Sequence, residues 1–96
     1  MSEARGQVTM YTTTFCPYCV RAKTLLSRKG VQVEEINLDG DWEQRQALVK
    51  RTGGMRTVPQ IWVGTEHVGG CDELYALERG GALEALLDAQ GVARAS

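Results

Sequence analysis

Apolar and polar residues alternate in short blocks along this chain, and the period of each block gives the element. Val8-Thr9-Met10-Tyr11 alternates and predicts a strand. From Pro17 to Lys29 the period changes: Val20, Ala22, Leu25 and Leu26 fall on one helical face, with Gly30 as the stop. Val31 to Leu38 predicts a second strand, its alternation broken at Glu34-Glu35. Strand, helix and strand make a β-α-β unit, with a right-handed crossover and parallel strands. Asp41-Trp42-Glu43-Gln44 has the form of a capping box and opens a helix to about Arg51, where basic residues and Gly53-Gly54 end it. Gln60 to Val63 is rich in strand formers. Gly64-Thr65 is a two-residue hairpin signal with glycine first, so Glu66 to Val68 returns antiparallel. Leu74 and Leu77, then Leu83, Leu86 and Leu87, mark two short amphipathic helices separated by Gly80-Gly81. The sum is an α/β chain with a small four-stranded mixed sheet and helices on both faces.

Ninety-six residues suit one domain with a single core, with residues 1–6 and 91–96 expected to fray. The composition is that of a globular protein, 43% hydrophobic and 24% charged, with a net charge of −1. No basic stripe is present, which argues against nucleic acid and anionic membrane as partners. Nor is there a run long enough to span a bilayer, or an apolar core for a signal peptide between Met1 and Gln7. Three cysteines are too few, and odd in number, for a secreted disulfide framework. A reducing, cytoplasmic setting is expected, and there a Cys-x-x-Cys is more often catalytic than structural.

That pair is Cys16 and Cys19 in Phe15-Cys16-Pro17-Tyr18-Cys19, at the predicted strand-to-helix junction. Pro17 suits the first helical position, where its missing N–H costs nothing. Cys16 then caps the helix, and the N–H groups of Tyr18 and Cys19 are expected to face its sulfur. The helix dipole adds positive potential there. Such settings draw a thiol from about 8.5 into a range of roughly 3.5–7.5. Cys16 is expected to attack and Cys19, one turn deeper, to resolve. Zinc is the competing reading, with His67 and Cys71 as a second pair. The long gap between pairs, one of them opening a helix, does not match the short knuckles of structural zinc sites, and no metal is expected.

The combination of Cys16-Pro17-Tyr18-Cys19, Thr57-Val58-Pro59 and Gly69-Gly70-Cys71-Asp72, in that order and spacing, resembles a dithiol glutaredoxin of the short bacterial type. The likeness runs over the whole chain after about Gln7. It implies a thioredoxin-like fold and a glutathione-dependent thiol–disulfide oxidoreductase, with glutathione as co-substrate. It further implies a cis Val58–Pro59 bond that presents the Val58 backbone to glutathione like an added strand. Gly70 and the helix start at Cys71-Asp72 would receive the γ-glutamyl group, with Asp72 meeting its ammonium while also capping the helix. Arg45 matches the position that meets the glycyl carboxylate. Tyr18 would cover the disulfide, with Thr57 alongside. Cys71 reads as a filler, His67 as an exposed hairpin residue, and Trp42 and Trp62 as packing. The resemblance implies glutathionylated and disulfide-containing proteins as partners, ribonucleotide reductase among them, and a monomer. One departure stands out: Thr13 occupies a position where many glutaredoxins carry lysine, leaving Arg21 or Lys23 as substitutes. A thioredoxin would show Trp before the motif and Gly-Pro inside it, where this chain has Phe15 and Pro-Tyr. An iron–sulfur carrier of this family often lacks the proline that here is Pro17.

Overall fold

The structure, a computed structural model, describes residues 6–94. Its elements run β1 (Val8–Thr12), α1 (Pro17–Arg28), β2 (Val33–Asn37), α2 (Trp42–Arg51), β3 (Gln60–Val63), β4 (Glu66–Gly69), α3 (Cys71–Arg79) and α4 (Leu83–Ala89). One sheet has the order β2-β1-β3-β4. β1 pairs parallel with β2, while β3 lies antiparallel to both β1 and β4. The β-α-β unit and the hairpin thus stand where the patterning puts them. Gly64 adopts φ +59°, the conformation a two-residue turn with glycine first requires.

The sheet is covered on both sides, so β1 is buried at every position rather than at alternate ones. Val8 and Met10 of β1, with Ile61 and Val63 of β3, join Ala22, Leu25 and Leu26 of α1, Leu74 of α3 and Leu83 and Leu87 of α4. On the opposite face Tyr11 and Trp62 pack with Leu38 and with Leu48 of α2. Each fully buried aliphatic contributes about 1.5–3 kcal/mol relative to exposure. β2, at the sheet edge, is only partly covered, and its broken alternation at Glu34-Glu35 reflects that position.

The expected fraying from Gly91 onward is corrected as far as Arg94. Val92 is buried in the larger core and donates its N–H to the Leu87 carbonyl, while Arg94 pairs with Asp88 at 2.7 Å. Residues 1–5 and 95–96 lie outside the described part. Among the described residues, no helix is long and apolar enough to cross a membrane.

Candidate functional site: a disulfide between two recesses

Cys16 is the N-cap of α1, in extended backbone with φ −140° and ψ 98°, and Pro17 fills the first helical position. Of the two N–H groups expected at its sulfur, the Cys19 amide is the one that arrives, donating to Cys16 Sγ at 3.1 Å. Cys16 and Cys19 are joined as a disulfide, their Cα atoms 5.2 Å apart. Both sulfurs are sheltered, the residues being 9% and 5% exposed. The flanking Phe15 is almost wholly exposed, and Tyr18 more than half.

On one side of the disulfide lies a recess of about 240 Å³ lined by Thr13, Thr14, Cys16, Cys19, Val20, Lys23, Glu35 and Asn37. No cation stands at Thr13. Lys23 is in the recess, but its ammonium is tied to Glu35 at 2.6 Å, and Glu35 also accepts from the Thr12 hydroxyl at 2.8 Å. Those hydrogen bonds, Lys23 first, hold the Glu35 carboxyl below its ordinary pKa. Arg21, the other suggested substitute, lies over the Tyr75 ring at 5.3 Å.

A second groove, of about 380 Å³, is lined by Tyr18, Met55, Thr57, Val58, Pro59, Gly70, Cys71, Asp72 and Glu73. The Val58–Pro59 peptide is cis. The Val58 carbonyl oxygen lies 3.8 Å from Cys16 Sγ and joins this groove to the disulfide. Seven of the residues named from sequence, Tyr18, Thr57, Val58, Pro59, Gly70, Cys71 and Asp72, therefore share one surface. A Cβ on Gly70 would stand 3.3 Å from the Pro59 carbonyl, tighter than ordinary contact, so glycine eases the close approach of the two loops.

The capping role given to Asp72 is corrected. α3 begins at Cys71 after the N-cap Gly70, which puts Asp72 two residues past the cap position. Glu73 does that work, accepting the Gly70 N–H at 2.8 Å. Asp72 is left exposed at the groove. Cys71 is buried and free, and burial pushes its thiol above the ordinary value, in keeping with a filler. Arg45 is not brought into the groove; it lines a different recess with Asp39, Asp41 and Trp42. His67 does not join the cysteines, and among the described residues no three of His, Cys, Asp and Glu are grouped to hold a metal ion. Met55 and Glu73 were not anticipated. The capping spacing from Gly70 to Glu73 could have found the second, whereas nothing local marks the first.

Comparison with known proteins decides the family. The glutaredoxin family model matches residues 8–68. The chain belongs to the glutaredoxin family. It is 60% identical over 82 residues to a glutaredoxin of Pseudomonas aeruginosa, covering 85% of this chain and 96% of that one. With Glutaredoxin 3 of Escherichia coli strain K12 it shares 51% over 82 residues, 85% of this chain and 98% of the other. Among solved structures, a buckwheat glutaredoxin–glutathione complex superposes with a TM-score of 0.85 at 32% identity, covering 96% of this chain and 86% of that one. The fold is thioredoxin-like, and this glutaredoxin is a glutathione-dependent thiol–disulfide oxidoreductase with a Cys16–Cys19 dithiol.

Proposed function

We propose that this glutaredoxin reduces protein–glutathione mixed disulfides and protein disulfides with Cys16 as the attacking thiol, and that it binds glutathione in the groove between Tyr18, Thr57-Val58-Pro59 and Gly70-Cys71-Asp72. The observation that carries the reading is the continuity of that groove with the disulfide through the Val58 carbonyl, 3.8 Å from Cys16 Sγ. The Cys16 thiolate attacks the glutathione sulfur of a mixed disulfide. A new Cys16–glutathione disulfide forms and the protein thiolate leaves. A second glutathione thiolate then attacks the bound glutathione sulfur, releasing oxidised glutathione and regenerating the Cys16 thiolate. Alternatively Cys19 attacks Cys16 Sγ, expels the glutathione thiolate and leaves the intramolecular disulfide, which two further glutathiones reduce.

Position supports this division of labour. The Cys19 N–H points at Cys16 Sγ and favours charge there, whereas the Cys19 sulfur sits a turn inside the helix. The backbone of Val58 offers a short strand edge to the cysteinyl part of glutathione. At the other end, the start of α3 suits the γ-glutamyl carboxylate, and exposed Asp72 suits its ammonium. Arg45 stands outside the groove and is left out of this assignment. The protein acts as a single-domain monomer in the cytoplasm on glutathionylated and disulfide-containing proteins. By the same resemblance, ribonucleotide reductase is among them.

Turnover of a glutathionylated peptide and of a protein disulfide, coupled to glutathione and glutathione reductase, tests the roles. Cys16→Ser is expected to lose both activities. Cys19→Ser is expected to lose the protein-disulfide activity and keep deglutathionylation, because external glutathione resolves the intermediate. Equal loss of both in Cys19→Ser, or survival of either in Cys16→Ser, contradicts the assignment.

A further inference from the structure

Gln60 follows Pro59 directly and is fully buried at the start of β3. Its amide nitrogen donates to the Thr57 carbonyl at 3.0 Å and approaches the Thr57 hydroxyl at 3.4 Å. A carbonyl can only accept, so the amide is fixed in this orientation and its Oε1 points the other way. Oε1 lies 2.8 Å from His67 Nε2, which must therefore carry the proton and donate. A buried amide oxygen without such a donor is costly.

The placement of His67 depends on an irregularity of β4. Ile61 pairs with Gly69 but Trp62 pairs with His67, so Val68 is an extra residue in the ladder. Regular pairing from Ile61–Gly69 would set Val68 opposite Trp62 and turn His67 to the other face of the sheet. The bulge instead puts His67 on the face of Trp62 and Gln60. There its ring stacks on Trp62 at 4.4 Å, and Trp62 also meets the Arg51 guanidinium at 4.2 Å. Burial, and then the Arg51 charge, lower the His67 pKa.

We propose that His67 is a positioning residue for glutathione: through Gln60 it fixes the Thr57 backbone at the edge of the groove. This rests on the reading that the Thr57–Pro59 side of the groove holds glutathione. His67 lines neither the groove nor the recess beside the cysteines. Its effect passes through the buried amide to the residue that begins the cis-proline loop.

Two substitutions separate the hydrogen bond from the stack. His67→Phe keeps a ring against Trp62 and removes the donor, whereas His67→Gln supplies a donor without the ring. On a glutathionylated peptide, His67→Phe is expected to raise KM about three- to tenfold, the size of one lost neutral hydrogen bond, with kcat little changed. His67→Gln should return KM towards the parent value. Thermal unfolding measured in parallel identifies a merely structural role: a lowered midpoint with unchanged KM in His67→Phe overturns the proposal, as does failure of His67→Gln to recover KM. Asp72→Asn reports on the groove independently. Raised KM in Asp72→Asn beside unchanged KM in His67→Phe overturns the positioning role alone. Unchanged KM in both overturns the groove reading with it.

Discussion

At the residue scale, the recess on the Thr13 side sets how much positive charge reaches Cys16 Sγ, the sulfur proposed to attack. Position 13 carries no cation, and Lys23, the cation in that recess, is neutralised by Glu35. The helix terminus and the Cys19 N–H are then the main supports for a Cys16 thiolate. Thr13→Lys should raise the thiolate fraction of Cys16 at a given pH by an interaction on the order of 0.2–1 kcal/mol. Glu35→Gln should act in the same direction by freeing the Lys23 ammonium. Alkylation rate against pH at low salt checks both, and unchanged profiles would mean that the helix end already saturates the effect. Glu35→Gln carries a second signature. A carboxyl whose folded pKa lies below its unfolded value stabilises the fold above the unfolded value, and the contribution is lost as pH falls through the folded one. The variant should therefore be less stable than the parent at neutral pH, with the gap closing below about pH 4.5.

At the scale of elements, one lysine ties three helices together. Lys29 closes the C-terminus of α1 and reaches Glu78 of α3 at 2.8 Å and Glu84 of α4 at 3.0 Å. Hydrogen bonds donated by Lys29 to these two carboxylates, Glu78 first, raise the Lys29 pKa, and Lys29 lowers that of Glu84. The signs define a window. The lysine's contribution is present below its ordinary value and lost as pH rises through the raised one. The Glu84 contribution is present above the ordinary carboxylate value and lost as pH falls through the depressed one. Lys29→Met should lower the thermal midpoint at neutral pH and leave it nearly unchanged in acid. A deficit that persists in acid would assign the effect to packing of the lysine stem instead. Since α3 carries Cys71 and Asp72 to the groove, a loosened α1–α3 contact should also weaken glutathione binding modestly.

For the molecule as a whole, two cores on opposite faces of one sheet bring α1, the cis-proline loop and the start of α3 to one surface. Much of that was legible in the residues. The Cys16 cap and the Gly64-Thr65 turn are local, decided within four residues, and the three motifs carry the family likeness. What stayed hidden depends on register or direction. Thr9 looks like an outward position of an alternating strand, yet it is buried because β1 is central and covered twice. Asp72 and Glu73 are both acids in a first turn, and which of them caps depends on a one-residue choice of helix start. The Gln60–His67 pair needs the bulge at Val68, which no spacing rule encodes. Whether glutathione attaches to Cys16 and lies along Val58 towards Asp72 can be read by solution NMR of the Cys19→Ser protein carrying glutathione on Cys16. Intermolecular contacts are expected from the cysteinyl residue to Val58 and from the γ-glutamyl group to Cys71 and Asp72. Contacts instead to Thr13, Lys23 and Asn37, in the recess on the other side of the sulfur, would contradict it.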